Sequence, residues 1–239
     1  MGIEHCMKSV TVFLLLIFST FSALAQTVYV QASKGSFNDL AIQKFTKRHP
    51  KLLLTPTFTG TLNNTFKLGV EHSTLVFTAV SNSSLKGQLV PQAVQALQDY
   101  KIDRVLGHVE LSIKFCAYIL KDESKTPKTV VSHPAALLQI SHWVSQNHLQ
   151  TQDELAGTAV AVKNLSLNEY YSNTLAVGSC QLKYTYKNLE LFAENVGNHK
   201  KSYTQFLLMK VHKRAQPIAF NSASTELIAK LKGLTLKVE

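Results

Sequence analysis

A β-branched run, Thr129-Val130-Val131, stops at Ser132-His133-Pro134, and apolar residues then recur at helical spacing at Ala136, Leu137, Ile140, Trp143 and Val144. This reads as a buried strand that ends in a turn and opens a helix reaching about Asn147. Ser132 is expected as the N-cap, with Pro134 in the first turn, where a missing N–H leaves no bond unmade. The free N–H groups of such a helix start favour anions. The same strand, turn and helix recur at Gly35-Ser36, at Gly178-Ser179 and, more loosely, at Gly157-Thr158. Alternation of this kind predicts an α/β fold with mostly parallel sheets, whose strand ends line a ligand crevice.

Short strands are expected at 28–32, 52–54, 75–80, 174–177 and 189–193, with a polar loop after 54 and a helix over 62–70. Two longer apolar stretches stand apart. Val109, Leu111, Ile113, Phe115, Ala117 and Ile119 alternate as in one extended strand within 105–119, and residues 203–211 read as another. Strands of that length suit crossings between two lobes, and ligands favour the cleft between lobes. Beyond Lys213 come a basic linker, a helix over 225–231 and a terminal strand over 234–238.

Ahead of this fold, Met7-Lys8 opens an apolar run from Val10 to Phe18, and Ala23-Leu24-Ala25 is a small-residue cleavage site before Gln26. Residues 1–25 therefore read as a secretory signal peptide, too short in its apolar part to span a bilayer. The mature chain is expected to be exported, either periplasmic or secreted, with no membrane association after cleavage. Cys6 leaves with the leader. Cys116 and Cys180 remain; an oxidising compartment allows them to pair, while a reading as two buried thiols weighs slightly more from sequence alone.

The net charge of +10 favours anionic partners. Only Lys200-Lys201 and the 210–214 stretch are dense in basic residues, and neither is interleaved with stacking aromatics, so no nucleic-acid partner is expected. A small anionic ligand suits the charge. The histidines show no metal-ligand spacing, so no metal is expected, and there is no P-loop or G-x-G-x-x-G. His133, second in its turn, has the place to donate to a ligand or act as an acid, although a lone histidine more often holds structure.

Taken in order, these motifs resemble the catalytic domain of the prephenate dehydratases over about residues 27–211. The family's Gly-Thr/Ser-Phe/Tyr-Ser/Thr turn is matched by Gly35-Ser36-Phe37-Asn38. Its Ser-His-Pro-Gln-Ala-Leu-x-Gln is matched by Ser132-His133-Pro134-Ala135-Ala136-Leu137-Leu138-Gln139. Its Glu-Asn-Ser-x-x-Gly corresponds to Asn82-Ser83-Ser84-Leu85-Lys86-Gly87, with Asn82 and Ser83 replacing Glu-Asn. Gly157-Thr158-Ala159 is similar to its Ser-Thr-Ala segment, and Ala176-Val177-Gly178-Ser179 to its Ala-Ile-Gly/Ala-Ser, with Tyr186 at the family's tyrosine. Ser202-Tyr203-Thr204-Gln205-Phe206 matches Asn-x-Thr-Arg-Phe in part.

The resemblance implies a two-lobed domain over 26–212, with the architecture of type 2 periplasmic binding proteins. It also implies conversion of prephenate to phenylpyruvate with loss of CO2 and water, a step of phenylalanine biosynthesis that needs no cofactor. Thr204 would hydrogen-bond the leaving hydroxyl, with Gln205 beside it in the place of the family's Arg. Gly35, Ser36, Phe37, Ser83, Ser84, Ser132, His133, Thr158, Ser179 and Phe206 would surround the substrate. A neutral donor is worth about 1 kcal/mol against about 1.5–3 for a charged one, so Gln205 lowers turnover by roughly one or two powers of ten. Otherwise it marks a periplasmic solute-binding protein for an aromatic or carboxylate ligand, the alternative function. Dimers are usual in the family, so a homodimer is expected. Only 28 residues follow Val211; the extension over 213–239 is too short for the phenylalanine-binding ACT domain that the family often adds.

Overall fold

The computed structural model describes residues 25–85, 89–121 and 126–235. The expected leader, up to residue 24, lies outside the described residues, as do Lys86 and Gly87 and the end of the expected terminal strand. The chain builds β1 (Gln26–Val30), α1 (Phe37–Arg48), β2 (Leu54–Phe58), α2 (Leu62–Glu71), β3 (Leu75–Asn82), α3 (Pro91–Asp99) and β4 (Tyr100–Ser112). It continues through β5 (Phe115–Leu120), β6 (Thr129–Ser132), α4 (Pro134–Gln139), α5 (Ser141–Gln146), β7 (Gln150–Asp153) and α6 (Thr158–Ser166). It ends with β8 (Thr174–Ser179), a 3₁₀ turn at Cys180–Tyr184, β9 (Leu189–Glu194), β10 (Tyr203–Lys213) and α7 (Phe220–Thr235).

Two five-stranded sheets result, β2-β1-β3-β10-β4 and β7-β6-β8-β5-β9, one in each lobe. Their plans match. Three neighbouring strands run parallel, joined by helical crossovers, and two more pair antiparallel. The sheets are thus mixed rather than mostly parallel. The reason is topological: the chain leaves the first lobe along β4 and returns along β10, and two crossing strands laid side by side must run in opposite directions. β4 and β10 pair from Tyr203↔Ser112 to Lys213↔Tyr100.

The long strand expected over 105–119 is two strands, with Ile113 and Lys114 passing between the lobes. Its alternation stays in phase across the break, so periodicity alone could not reveal it. The return crossing is residues 195–202, tied to the outgoing one where Ile113 N–H donates to Ser202 O at 2.8 Å.

Edge strands account for the other misplacements. β2 lies at 54–58, inside the expected polar loop, because an edge strand tolerates Pro56 and exposes its threonines. β7 is fully exposed and carries no apolar signal. The helix expected to run to Asn147 is divided at Ile140 into α4 and α5. α7 is longer than expected and absorbs Leu234; its Ala223 and Leu227 are buried in the core of the first lobe with Ala93 and Leu97 of α3.

Cys116 and Cys180 form a disulfide, with their Cα atoms 4.9 Å apart. The weighting toward two thiols is corrected by the β5–β8 pairing, which sets Cys116 opposite Gly178, two residues from Cys180.

Candidate active site

A cleft of about 480 Å³ lies between the lobes, and its walls are helix starts. Ser36, Phe37 and Asn38 open α1; Thr61, Leu62 and Asn63 open α2; His133 precedes α4; Gly157, Thr158 and Ala159 open α6. Ser36 Oγ accepts from Asp39 N–H and Thr61 Oγ1 from Asn64 N–H, each at 3.3 Å. α6 differs: its N-cap is Gly157, at φ 125°, with no side-chain cap, so its first N–H groups are left for another acceptor. Each helix start carries a partial positive charge, and several aimed at one volume suit a ligand with more than one carboxylate.

The loop before α6 is held by a buttress. Glu154 accepts from Ala156 N–H at 3.0 Å, from Tyr170 Oη at 3.0 Å and from Asn164 Nδ2 at 3.2 Å. Burial first, then the bond to Glu154, pushes the Tyr170 hydroxyl up to about 12, so it remains a donor at neutral pH. Across the cleft, Gly35 stands at φ 83°. A Cβ there would fall 2.8 Å from Leu182 Cδ2 of the other lobe, so the turn needs glycine for both its conformation and this close approach. On the far side of that contact lies a second groove of about 490 Å³. It is lined by Lys34 and Gly35, by the flanks of α1 and α6 with Lys163, and by Gln181, Thr185 and Tyr186 at the 3₁₀ turn, so the expected residues Gly35 and Tyr186 stand in this groove and not in the cleft.

His133, not Ser132, caps α4: β6 extends one residue further than expected, and Ser132 Oγ donates to Val177 O at 2.7 Å, buried inside the sheet. His133 Nδ1 accepts from Ala135 N–H at 3.3 Å. A backbone N–H can only donate, so Nδ1 is unprotonated and Nε2 carries the proton. Burial holds this imidazole below the usual histidine range, against the opposing pull of Asp153 and Glu154. In the interval between its folded value and the unfolded value near 6.5, the unfolded chain binds more protons. Its contribution to stability is therefore present above pH 6.5 and lost as pH falls through the folded value. Thermal unfolding at pH 7.5 and 5 tests this against His133→Asn, which keeps a capping oxygen. The wild type should lose more stability on acidification than the variant; equal losses would contradict the assignment.

Other expected residues gather at the lobe crossing instead. Thr204, buried at the start of β10, accepts from Asn82 Nδ2 at 2.8 Å. Ser83 Oγ accepts from Tyr203 N–H at 2.9 Å, and Ser84 Oγ bonds Ser202 Oγ at 2.7 Å, so both serines fasten β10 to the end of β3. Gln205 Oε1 accepts from Ser81 Oγ at 3.4 Å. Phe206 is buried in the core, stacked on Phe77 with ring centroids 5.8 Å apart. Ser179 caps the 3₁₀ turn by accepting from Gln181 N–H at 3.3 Å and is buried.

Of the expected residues, then, Ser36, Phe37, His133 and Thr158 share the cleft with helix starts, while Thr204, Gln205, Ser83 and Ser84 form a second cluster. Gln139 joins the two. It is the last residue of α4, and its Oε1 faces Asn82 Nδ2 at 3.4 Å, about 9 Å along the helix from the cap at His133. Thr61 was not expected at the site, although Thr61-Leu62-Asn63-Asn64 before an apolar helix is a readable cap. Asn38 was also missed as a site residue. Nine-tenths buried at the cleft wall, its Oδ1 has no hydrogen-bond partner among the described residues. An unpaired acceptor costs about 1–3 kcal/mol, which a ligand donor would offset. Among the described residues no group of His, Cys, Asp and Glu could hold a metal ion, and no helix is long and apolar enough to cross a membrane.

Comparison with known proteins follows the same lines. The family model for prephenate dehydratase matches residues 28–214. A bifunctional chorismate mutase/prephenate dehydratase of Buchnera aphidicola is 23% identical over 181 residues, covering 74% of this chain and 47% of that protein. A prephenate dehydratase of Methanocaldococcus jannaschii is 30% identical over 143 residues, covering 56% of this chain and 50% of that protein. The chain thus spans about half the length of the curated relatives it matches. The crystal structure of an Arthrobacter aurescens prephenate dehydratase in complex with L-Phe shares the fold, with a TM-score of 0.60 at 17% identity, over 81% of this chain and 60% of that one.

Proposed function

The chain belongs to the prephenate dehydratase family, and from that premise we propose that it converts prephenate to phenylpyruvate, CO2 and water in the cleft between its lobes. The observation that carries the reading is the convergence of the α1, α2, α4 and α6 starts on one volume. Prephenate brings two carboxylates to such a site. In the reaction the bond from the ring to one carboxylate breaks, and its electron pair enters the ring as the opposite carbon–hydroxyl bond breaks. The hydroxyl leaves with one proton from solvent as water, so dianion plus proton becomes phenylpyruvate anion, CO2 and water. The helix starts hold the carboxylates, and the Thr204 hydroxyl stabilises the departing oxygen by hydrogen bonding. Aromatisation supplies the driving force, so the protein's task is positioning and charge stabilisation.

Phenylpyruvate formation from prephenate by the mature chain, corrected for the acid-catalysed background, tests this. Folded protein that binds prephenate calorimetrically but gives no rate above background would overturn it. Gln205 sets the expected scale. Its neutral amide stands beside Thr204, and a guanidinium there would make a charge-assisted bond stronger by roughly 0.5–2 kcal/mol. Gln205→Arg should therefore raise kcat about tenfold; a variant no faster than wild type would show that the position does not face the reacting atoms.

The reading includes export. The leader-like residues 1–25 and the Cys116–Cys180 disulfide support it, because structural disulfides persist in oxidising compartments.

A further inference from the structure

Lys34 precedes Gly35 in the turn that opens α1, and Lys163 stands one helical turn beyond Ala159 on α6. The two lysines belong to opposite lobes, yet the contact at Gly35 brings them to one groove. A Cβ at Gly35 would meet Leu182 Cδ2 at 2.8 Å and Ala159 Cβ at 3.9 Å. The turn carrying Lys34 therefore rests on the start of α6, and Lys163 follows about 6 Å along that helix. Both side chains line the groove of about 490 Å³ outside the cleft.

Both lysines are exposed, and neither makes an ion pair among the described residues. Asp39 also lines the groove, but its buried carboxylate is already engaged within its own lobe. It accepts from Gly35 N–H and from Gln43 Nε2, each at 2.8 Å. Lobe contact thus gathers two cations without a counter-charge. Like charges brought together repel, and an anion between them relieves the repulsion.

The rest of the lining narrows the kind of anion. Leu40, Val160 and Leu182 are apolar, and half-buried Tyr186 adds an aromatic ring. Burial pushes the Tyr186 hydroxyl up, so it stays protonated at neutral pH. A small inorganic ion would leave these apolar groups without a partner, whereas a carboxylate on a flat apolar body meets both kinds of surface. We propose that this groove is a second ligand site, which takes an aromatic monocarboxylate and bridges the lobes through Lys34 and Lys163. The site stands apart from the dehydratase reading, since neither lysine nor Leu182 lines the cleft. Phenylpyruvate belongs to this ligand class and serves as the probe.

Methyl NMR separates the two volumes. Leu40, Val160 and Leu182 line the groove alone, and Leu62 and Leu155 the cleft alone. Titration with phenylpyruvate should shift the groove methyls along a saturable curve of their own. Lys34→Ala and Lys163→Ala should each raise the groove Kd about threefold, and the double variant about tenfold, as for exposed charge pairs. Arginine at both positions keeps the charge and should bind within about twofold of wild type. Pyruvate, which keeps the keto acid but lacks the ring, should bind the groove about tenfold more weakly. Unchanged Leu62 and Leu155 signals in the ligand-free variants monitor the fold.

Groove methyls that stay silent, or a double-alanine variant that binds as tightly as wild type, overturn the inference. Pyruvate binding as tightly as phenylpyruvate overturns the assigned ligand class. The prephenate assay decides separately: a chain without turnover that still shows lysine-dependent groove binding keeps this inference and loses the dehydratase reading.

Discussion

Thr204→Val should lower kcat for phenylpyruvate formation by roughly 10²–10³-fold, with KM little changed. Valine keeps the shape and volume of threonine and removes only the hydroxyl, so the ground-state fit in the cleft is preserved. What disappears is a donor whose bond strengthens as negative charge grows on the departing oxygen, and interactions made chiefly in the transition state act on kcat. The fold should survive. Asn82 Nδ2 loses its 2.8 Å partner but keeps Gln139 Oε1 at 3.4 Å, and a weakened buried donor costs about 1–3 kcal/mol against the 5–15 kcal/mol typical of a folded protein. Thr204→Ser, which retains the hydroxyl, should recover most of the lost rate. Steady-state kinetics on the three proteins decides the matter: a valine variant with more than a tenth of the wild-type kcat would remove Thr204 from the chemistry.

The contrast between Thr204 and Phe206 shows how far a linear motif can be read. Both lie in one short match, yet a β-bulge between Gln205 and Phe206 shifts the pairing with β3 from Ser81 to Ala79. Bulges re-aim side chains, and Phe206 stacks on Phe77 in the core while Thr204 meets Asn82. Helix starts were more legible. Ser36, His133 and Gly157-Thr158 flank amphipathic segments, so local sequence places them, and even the one-residue error at Ser132 arose only because β6 runs one residue longer. The antiparallel half of each sheet was hidden, since it depends on where the chain returns, and periodicity carries no direction. Polar edge strands such as β7 left no signal. Contacts across long separations were illegible too: Asn82 and Thr204 are 122 residues apart, and nothing local marks either as the other's partner.

Removing the disulfide should destabilise the protein by about 4 kcal/mol, because the bridge closes a separation of 64 residues in the unfolded chain. For a domain of this size that corresponds to a fall in Tm of roughly 10 °C. The Cys116→Ala/Cys180→Ala double variant isolates the effect. β5 and β8 remain paired through Phe115↔Ser179 and Cys116↔Gly178, so the native backbone has little reason to move, and the loss falls mainly on the freedom regained by the unfolded chain. Cys116 is fully buried but Cys180 is only partly so, which leaves the bridge open to reductant from the Cys180 side, and the unfolding transition under dithiothreitol should converge on that of the double variant. The location of the bridge carries the consequence to the cleft. Cys180 follows Ser179 directly and begins the turn that presents Leu182 to Gly35 across the lobes. A loosened turn should therefore weaken prephenate binding before the lobe unfolds, which calorimetry below the transition can read. Thiol alkylation links the result to the compartment: the uncleaved chain retained in a reducing cytoplasm should carry three alkylatable thiols in the unfolded state, Cys6 among them, and the exported, cleaved chain none. Identical Tm values for bridged and double-alanine proteins would show that the disulfide contributes nothing to stability, and two free thiols in the exported chain would remove its support for export.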